Sequence, residues 1–303
     1  MPEDLDFYLA NQDDLEGIFK IIDMTGWGET YEDISRVINN PSNRYITVFN
    51  PKTFEFTGIT LMVLNGRIGF IGHVIVIPEY RKMGIGEELM KEAINYMKFH
   101  GCTTIKLDAV EKAISLYERV GFKFEINSLR YLKELNDPKD IDDLLKICSS
   151  VKQENPVQNA TGDDLAQIFE VDNKIFEGNR EDFLFALFDD FPNLAFISRD
   201  STDELVGYLF GTFRNGMVKL RAGICDSFST AIHLINAALT ACKNLKGLKS
   251  IKIGITENST YGIQVMEKLG FEKIGQSYRM YWGKETEATK NPMIFAIGDP
   301  AKG

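Results

Sequence analysis

The chain has 303 residues, of which 44% are hydrophobic and 26% charged, enough apolar material for a globular core in one large or two ordinary domains. Its formal net charge is -10 and it has no long Lys/Arg run, so we expect no nucleic-acid partner. The segment MPEDLDFYLA lacks an apolar signal region, and no apolar run approaches the ~18 residues of a membrane span, so we expect a cytoplasmic protein without a membrane partner.

The four cysteines stand far apart in the sequence, at Cys102, Cys148, Cys225 and Cys242. None of their spacings is the closely paired kind used by zinc sites and redox dithiols. We therefore predict no metal site, and we expect Cys102 and Cys148 to be buried thiols of a protein from a reducing compartment.

The chain also repeats itself. LANQDDLEGIFKIID, from Leu9, resembles NATGDDLAQIFEVDN, from Asn159, and YERVGFKFE, from Tyr117, resembles MEKLGFEKI, from Met266. Both offsets are about 150 residues, which indicates two copies of one domain rather than a short-period solenoid. We predict a first domain at residues 1–135, a linker at 136–156, a second domain at 157–283 and a C-terminal tail or arm at 284–303.

The first copy predicts early antiparallel strands followed by strand–helix–strand–helix. A strand from Asp6 to Ala10 leads to a helix capped near Asn11 and then to a second helix. The remaining expected elements are strands at 44–49, 56–64 and 69–77, a helix at 86–99, a strand at 104–107, a helix at 111–120 and closing strands at 122–126 and 129–135. This order is typical of a mixed α/β fold, in which helices flank a central mixed sheet.

The stretch VIVIPEYRKMGIGEELMKEA, from Val74, joins a buried strand to a helix through a basic, glycine-rich turn. Pro78 ends the strand, and Gly84 and Gly86 let backbone N–H groups converge at the helix N-terminus, an arrangement that binds anions. Arg81 and Lys82 add positive charge there. The alternative is an ordinary turn glycine with solvated surface charges.

A second feature, LDAVEKAISLYERVGF from Leu107, joins a strand, a helix and another strand. Together, VIPEYRKMGIG and LYERVGF resemble the GNAT superfamily of acyl-CoA-dependent N-acyltransferases, and the resemblance covers the element order of the whole first copy. The two copies resemble tandem members of that family whose second copy is degenerate. The implied fold is two tandem GNAT-like domains, and the implied cofactor is acetyl-CoA.

The resemblance also implies how the cofactor is held. Its pantetheine arm would pair with the backbone of Val74, Ile75 and Val76. Arg81 would lie near the diphosphate. The diphosphate itself would lie on the backbone amides of Lys82, Met83, Gly84, Ile85, Gly86 and Glu87.

The resemblance further assigns the catalytic acid and leaves the base open. Tyr117 stands where these enzymes place a tyrosine that protonates the leaving thiolate, although it is also suited to packing in the core. Many relatives have a glutamate base where this chain has Gly72, so His73 is the candidate, yet strand alternation predicts that it faces the other way. Water, Glu29 or Asp33 are the alternatives.

The resemblance also implies that the loop MTGWGETYED covers the acceptor amine. Trp27, Glu29 and Tyr31 would there provide an aromatic and acidic surface for an ammonium group. A tryptophan that seals the edge of the core is the alternative. Val110 replaces an asparagine that often contacts the cofactor in the family, so one cofactor contact is missing.

The second copy is expected to retain the fold without the chemistry. The strand near residues 218–224 is followed by Asp226 rather than by an R-x-x-G-x-G turn, and Met266 occupies the tyrosine position. We interpret Arg180, Arg214 and Arg279 as structural ion-pair residues or, alternatively, as parts of a ligand site. The segment 291–300 is expected to form an extra strand or arm.

We therefore predict an enzyme, an N-acetyltransferase that joins an acetyl group to a small-molecule amine or an amino acid by direct attack. A protein or peptide N-acetyltransferase and a non-catalytic acyl-CoA sensor are the alternatives. A homodimer is possible on this reading, because the second copy is free to serve as an interface.

Overall fold

The computed structural model describes residues 5–137 and 139–301, so the outer ends of the predicted first domain and tail, and residue 138 of the predicted linker, lie outside it. The described residues form two compact units. The first takes its residues from Met1–Glu125, Tyr278–Glu285 and Pro300–Gly303, and the second from Ile126–Ser277 and Thr286–Asp299.

Most elements of the first unit follow the predicted order. They are β1 (Asp6–Leu9), α1 (Leu15–Asp23), α2 (Tyr31–Asn39), β2 (Asn43–Asn50), β3 (Glu55–Asn65), β4 (Ile68–Val76), α3 (Ile85–Phe99), β5 (Thr104–Ala109) and α4 (Ile114–Arg119). Short 3-10 turns precede α1 and α4, and the first of these has the predicted cap, because Asn11 accepts a hydrogen bond from the Asp13 amide. The predicted mixed α/β fold is confirmed.

The sheet of the first unit has the order β1, β2, β3, β4, β5 and then residues 278–283. Neighbouring strands are antiparallel except for β4 and β5, which are parallel. The core lies between this sheet and α3, whose apolar side chains recur every three or four residues. The side chains buried from α3 are Ile85, Leu89, Met90, Ala93, Ile94 and Met97.

One local prediction is wrong, because the two expected closing strands form a single strand, β6 (Lys123–Glu134). The break expected between residues 126 and 129 does not occur. Instead, the Asn127 backbone and side chain both donate to the Glu257 carboxylate, at 3.0 and 2.7 Å. This tertiary contact takes the place of the local turn that asparagine otherwise favours.

The second copy repeats this succession of elements and adds one helix before it and one strand after it. They are α5 (Lys139–Ser149), β7 (Val157–Asn159), α6 (Leu165–Phe176), α7 (Glu181–Asp190), β8 (Ala195–Arg199), β9 (Leu205–Arg214), β10 (Met217–Cys225), α8 (Phe228–Cys242), β11 (Ser250–Thr256), α9 (Thr260–Lys268), β12 (Glu272–Gly283) and β13 (Ile294–Ala296). The predicted linker thus contains α5, whose Leu144 and Cys148 are buried in the core around α8. The extra strand predicted in the tail is confirmed as β13.

The sheet of the second unit runs β6, β11, β10, β9, β8, β7, with β13 added to β10. Its β6 comes from the first half of the sequence, whereas residues 278–283 of β12 complete the sheet of the first unit. The final strand of each sequence copy therefore lies in the unit built mainly from the other copy. The compact units differ in this respect from the predicted segments 1–135 and 157–283.

The three arginines singled out in the second copy form ion pairs. Arg180 and Tyr208 both contact the buried carboxylate of Asp172, with 3.1 Å from Arg180 Nε to Asp172 Oδ2. Arg279 Nε lies 2.7 Å from Asp108 Oδ1 in the first unit, and Arg214 pairs with Asp190 at 3.5 Å. These contacts favour the structural interpretation.

Each of the four cysteines is a buried free thiol, as predicted for Cys102 and Cys148. Within the described ranges, the helices are all too short or too polar to cross a bilayer.

Candidate active site

The site is organised by an irregularity in β4. The register between β3 and β4 shifts between Ile59 and Leu61, and His73 has a φ of 48°, so β4 contains a β-bulge. Ile71 and Val74 pack with α3, whereas Gly72 is in register with Leu61 and through it with Tyr45 on the other face.

Because of this bulge, His73 lies on the same face as Gly72. The Tyr45 hydroxyl is 2.7 Å from His73 Nδ1, which fixes the imidazole on the face away from α3. The prediction that strand alternation turns His73 to the opposite face from position 72 is therefore wrong, since a bulge places two consecutive residues on one face.

The imidazole of His73 has a carboxylate on its other side. Glu29 Oε2 lies 3.3 Å from His73 Nε2, and both side chains are largely removed from solvent. Glu29 Oε2 is buried, yet it accepts no hydrogen bond within the described structure. A buried carboxylate oxygen with a free lone pair is a feature that a ligand N–H group would satisfy.

The aromatic residues of the predicted acceptor loop lie at different places. The Trp27 ring centroid is 5.6 Å from that of His73, and the side chain is 53% exposed, so Trp27 does not seal the core. Tyr31 begins α2 and packs edge-on against Phe19 at 5.5 Å. The structure therefore brings Trp27, Glu29 and His73 together, and it places Tyr31 against α1.

The edge of β4 that faces β5 opens beyond the bulge. The parallel ladder pairs Ile68–Phe70 with Thr104–Lys106, and Val74, Ile75 and Val76 lie past its end. The Ile77 amide donates to Thr57 on the β3 side, so alternation directs the backbone groups of Ile75 to β3 and those of Val74 and Val76 to the open edge. Of the three residues predicted to pair with a cofactor arm, two therefore present their backbones to that edge.

The turn after β4 leads into the N-terminus of α3. Lys82 and Gly84 both have positive φ, 63° and 87°, and Gly84 is the N-cap residue. Gly84 has no side chain to cap the helix, so the Ile85 and Gly86 amides of the first turn have no acceptor within the helix, whereas the Glu87 amide, predicted to contact the diphosphate, donates to the Gly84 carbonyl oxygen at 3.1 Å. Arg81 Nε donates to the Val76 carbonyl oxygen at 2.9 Å, which ties the turn to the end of β4.

Tyr117 lies in α4 with 8% of its surface exposed, packed at 6.1 Å from the Phe122 ring. Burial raises the pKa of Tyr117 to about 12, because the phenolate loses more solvation than the neutral phenol. The side chain therefore holds its proton throughout the neutral range and remains a hydrogen-bond donor there.

Two features of this region have no local sequence signal. Tyr45, which holds His73, is 28 residues away in β2, and only the general need of a buried hydroxyl for a partner points to it. Ala301 lies against Gly72, a contact across almost the whole sequence.

The second unit has a corresponding bulge in β10, where Ala222 has a φ of 44° and the register shifts between Arg221 and Gly223. The parallel ladder with β11 covers Met217–Leu220. Beyond it, β13 is bonded to β10 and continues to β11. The Ala222 amide donates to the Ile297 carbonyl oxygen at 3.2 Å, and the Ile297 amide to that of Gly254 at 2.9 Å.

The helix N-termini of the two units also differ. Ser227 caps α8, and its hydroxyl accepts a hydrogen bond from the Thr230 amide at 3.1 Å. The turn before α3 has no such side-chain cap. The helix of the second unit therefore satisfies one of its own first-turn amides.

Two family models match the chain. One, described as "Acetyltransferase (GNAT) family", matches residues 18–122, and the other, described as "Acetyltransferase (GNAT) domain", matches residues 168–296. Each sequence copy is thus matched by its own model.

Known proteins show the same likeness. The uncharacterized N-acetyltransferase YitH of Bacillus subtilis (strain 168) is 23% identical over 295 residues, 97% of this chain and 96% of that protein. A glucosamine 6-phosphate N-acetyltransferase of Trypanosoma brucei brucei is 33% identical over 63 residues, which is 21% of this chain and less than half, 43%, of that protein. The structure of a GCN5-related N-acetyltransferase from Sphaerobacter thermophilus shares the fold, with a TM-score of 0.65 at 12% identity over 100% of both chains.

Proposed function

This chain belongs to the GNAT acetyltransferases and carries two GNAT domains, and on that premise we propose that it transfers an acetyl group from acetyl-CoA to the primary amine of a small molecule or an amino acid. The observation that carries the proposal is the pairing of His73 with Glu29 on the face beside the open edge of β4. One buried oxygen of that pair has no hydrogen-bond partner among the described residues.

The residues of the first unit fit the cofactor. Val74 offers a backbone donor and acceptor to an extended arm, as a neighbouring strand would, and Val76 offers its backbone donor, since the Val76 carbonyl oxygen already accepts from Arg81. The uncapped N-terminus of α3 and the cation of Lys82 suit a diphosphate, because first-turn amides and the helix dipole favour negative charge. Acetyl-CoA supplies the acetyl group as a thioester, which is activated for attack by an amine.

The His73–Glu29 pair handles the proton of the acceptor. Glu29 Oε2 binds the ammonium group, and the pair takes up its proton so that the neutral amine can attack. Both groups can contact the same acceptor nitrogen because they lie 3.3 Å apart. The Trp27 ring beside them offers its face to the cation before deprotonation.

Tyr117 acts at the leaving group. Its phenol is protonated at neutral pH, so it can donate a hydrogen bond to the sulfur and pass its proton to that sulfur as the carbon–sulfur bond breaks. No nucleophilic serine or cysteine is required, because the acceptor amine attacks directly.

We assign the second unit no cofactor. Its β13 lies along β10 past the bulge, at the place where the first unit leaves Val74 and Val76 open. The Cys225 amide is already bonded to the Met293 carbonyl oxygen at 2.8 Å. In the second unit, therefore, β13 occupies the strand edge and Ser227 caps the helix N-terminus. These are the two features that suit acetyl-CoA in the first unit.

We favour a small amine over a peptide because the side chains proposed to bind the acceptor amine, Trp27, Glu29 and His73, are few and close together. The trypanosomal relative is named for a phosphorylated amino sugar, a primary amine of that size, although the match covers only 21% of this chain. The alternatives are a peptide acetyltransferase and an acyl-CoA sensor. They are distinguished from this proposal by which acceptor, if any, causes the release of free thiol from acetyl-CoA.

The test measures free-thiol release from acetyl-CoA with a panel of small amines, amino acids and peptides. We expect release that depends on a small amine and that falls on the order of 10²-fold in His73→Gln, the range for loss of a general base. His100→Gln is the matched control, since His100 is an exposed histidine at the end of α3. Release with peptides only, or with no acceptor in the panel, would contradict the proposal.

A further inference from the structure

The region around Gly72 contains a contact that the proposed reaction does not explain. Gly72 lies in β4 directly before His73, on the same face of the sheet because of the bulge. Ala301 packs onto this glycine and is itself only 7% exposed. Both residues belong to the first unit.

The contact requires glycine at position 72 for reasons of space. A Cβ at Gly72 would lie 2.2 Å from the Ala301 Cβ and 3.1 Å from its Cα, so a main-chain segment would have to move. The φ of Gly72 is not among the positive values, so backbone freedom is not the reason for glycine here. By contrast, a Cβ at Gly69 in the same strand would meet the flexible end of Met97.

The position of this contact gives it a role. Gly72 is the residue directly before His73. The His73 imidazole in turn contacts Glu29 Oε2, the buried oxygen without a hydrogen bond. Ala301 therefore covers the strand immediately beside the proposed acceptor groups. Its methyl group is apolar, so it excludes water there without offering a hydrogen bond.

We propose that the segment Pro300–Ala301 forms one wall of the acceptor site and restricts it to amines that are compact next to the amino group. This inference rests on the proposed function, since it concerns the same site. Gly72 and Ala301 act as positioning residues: the glycine admits the segment, and the alanine limits the volume beside His73.

A double-mutant cycle tests the contact. The four proteins are the full chain, Gly72→Ala, a chain that ends after Asp299, and the combination. Gly72→Ala in the full chain should displace Ala301. It should raise the KM for a compact amine at least ten-fold, which corresponds to about 1.4 kcal/mol. In the shortened chain the same substitution should change the KM little, because the group it collides with is gone.

A second readout separates a wall from a purely structural contact. The shortened chain should gain at least ten-fold in the ratio of kcat/KM for a branched amine to that for a compact amine, while its affinity for acetyl-CoA stays unchanged in calorimetry. Should the shortened chain fail to fold, Ala301→Leu provides a further variant that keeps the segment. Like Gly72→Ala, it should raise the KM for a compact amine. Gly275→Ala is the control, since a Cβ there meets nothing within 4 Å.

Two results would overturn the inference while leaving the proposed function intact. One is an active enzyme in which Gly72→Ala has the same effect in both backgrounds, which would mean that it does not act through Ala301. The other is an unchanged preference between branched and compact amines in the shortened chain. A full chain without amine-dependent thiol release would overturn both the inference and the proposed function.

Discussion

Gly84→Val tests whether the N-terminus of α3 binds the cofactor. Gly84 has a φ of 87°, and a Cβ built there meets nothing within 4 Å, so the added Cβ causes no collision. The backbone contributes an effect of its own, because an L residue in the left-handed region costs about 1–2 kcal/mol. To escape that cost, the turn would rotate and carry the first-turn amides away from their common direction.

A matched control exists at the other end of the same helix. Gly101 has a φ of 91° and the same empty surroundings, and it lies after α3 rather than before it. Gly101→Val therefore imposes a similar backbone strain without touching the amides that we assign to the diphosphate. Both variants should lose about 1–2 kcal/mol of stability, visible as a lower thermal midpoint.

Only Gly84→Val should also lose affinity for acetyl-CoA in titration calorimetry. We expect a dissociation constant at least ten-fold higher, which corresponds to about 1.4 kcal/mol. An unchanged dissociation constant in a folded Gly84→Val protein, or an equal loss in Gly101→Val, would refute the assignment of the turn.

Further expectations concern the acid, the helix start and a buried ion pair. Tyr117→Phe should lower turnover on the order of 10²-fold and leave acetyl-CoA affinity unchanged; turnover equal to that of the unsubstituted chain would leave the residue a packing role only. Since the folded-state pKa of Tyr117 is raised from 10.0 to about 12, its stabilising contribution is complete below about pH 10 and is lost as the pH rises toward 12. Urea midpoints should therefore fall more steeply over that range in the unsubstituted chain than in Tyr117→Phe, and parallel curves would count against burial of the phenol. Gly86→Ala should preserve or raise the thermal midpoint, since a Cβ there makes ordinary contacts at 3.5 and 3.8 Å, yet weaken acetyl-CoA binding; an unchanged affinity would place the diphosphate elsewhere. Glu125→Ala removes the carboxylate 2.8 Å from the buried Lys106 ammonium and should cost about 3–5 kcal/mol in the free energy of unfolding, whereas a loss below 1 kcal/mol, roughly that of a surface pair, would contradict its burial.

The strand, turn and helix around the glycine-rich turn after β4 could be predicted because their signals are local. Pro78 ends β4, and Gly84 supplies the left-handed residue before α3, so the observed helix start at Ile85 is one residue from the expected one. The apolar spacing of α3 fixes the face that it buries. Each of these features is determined by a few residues that are neighbours in the sequence.

The arrangement of the acceptor groups could not be predicted in this way. The side that His73 faces depends on a register shift between β3 and β4, which the alternation of residues within β4 does not reveal. The exchange of final strands between the units has the same origin, because strand pairing is decided by partners far apart in sequence. Asn127 illustrates this, since it bonds to Glu257 in the middle of β6, where a break between two strands was expected.

Hydrogen–deuterium exchange with and without acetyl-CoA tests the central claim most directly, since it locates the cofactor in one copy. The amides of Val74 and Val76 should gain protection when acetyl-CoA is added, because they lie on the open edge of β4. The amides of Cys225 and Ile297 should be protected from the start, by their bonds to Met293 and Gly254, and should not change. Loss of protection at Ile297 together with no change at Val74 and Val76 would contradict the account, because it would place the cofactor in the second unit.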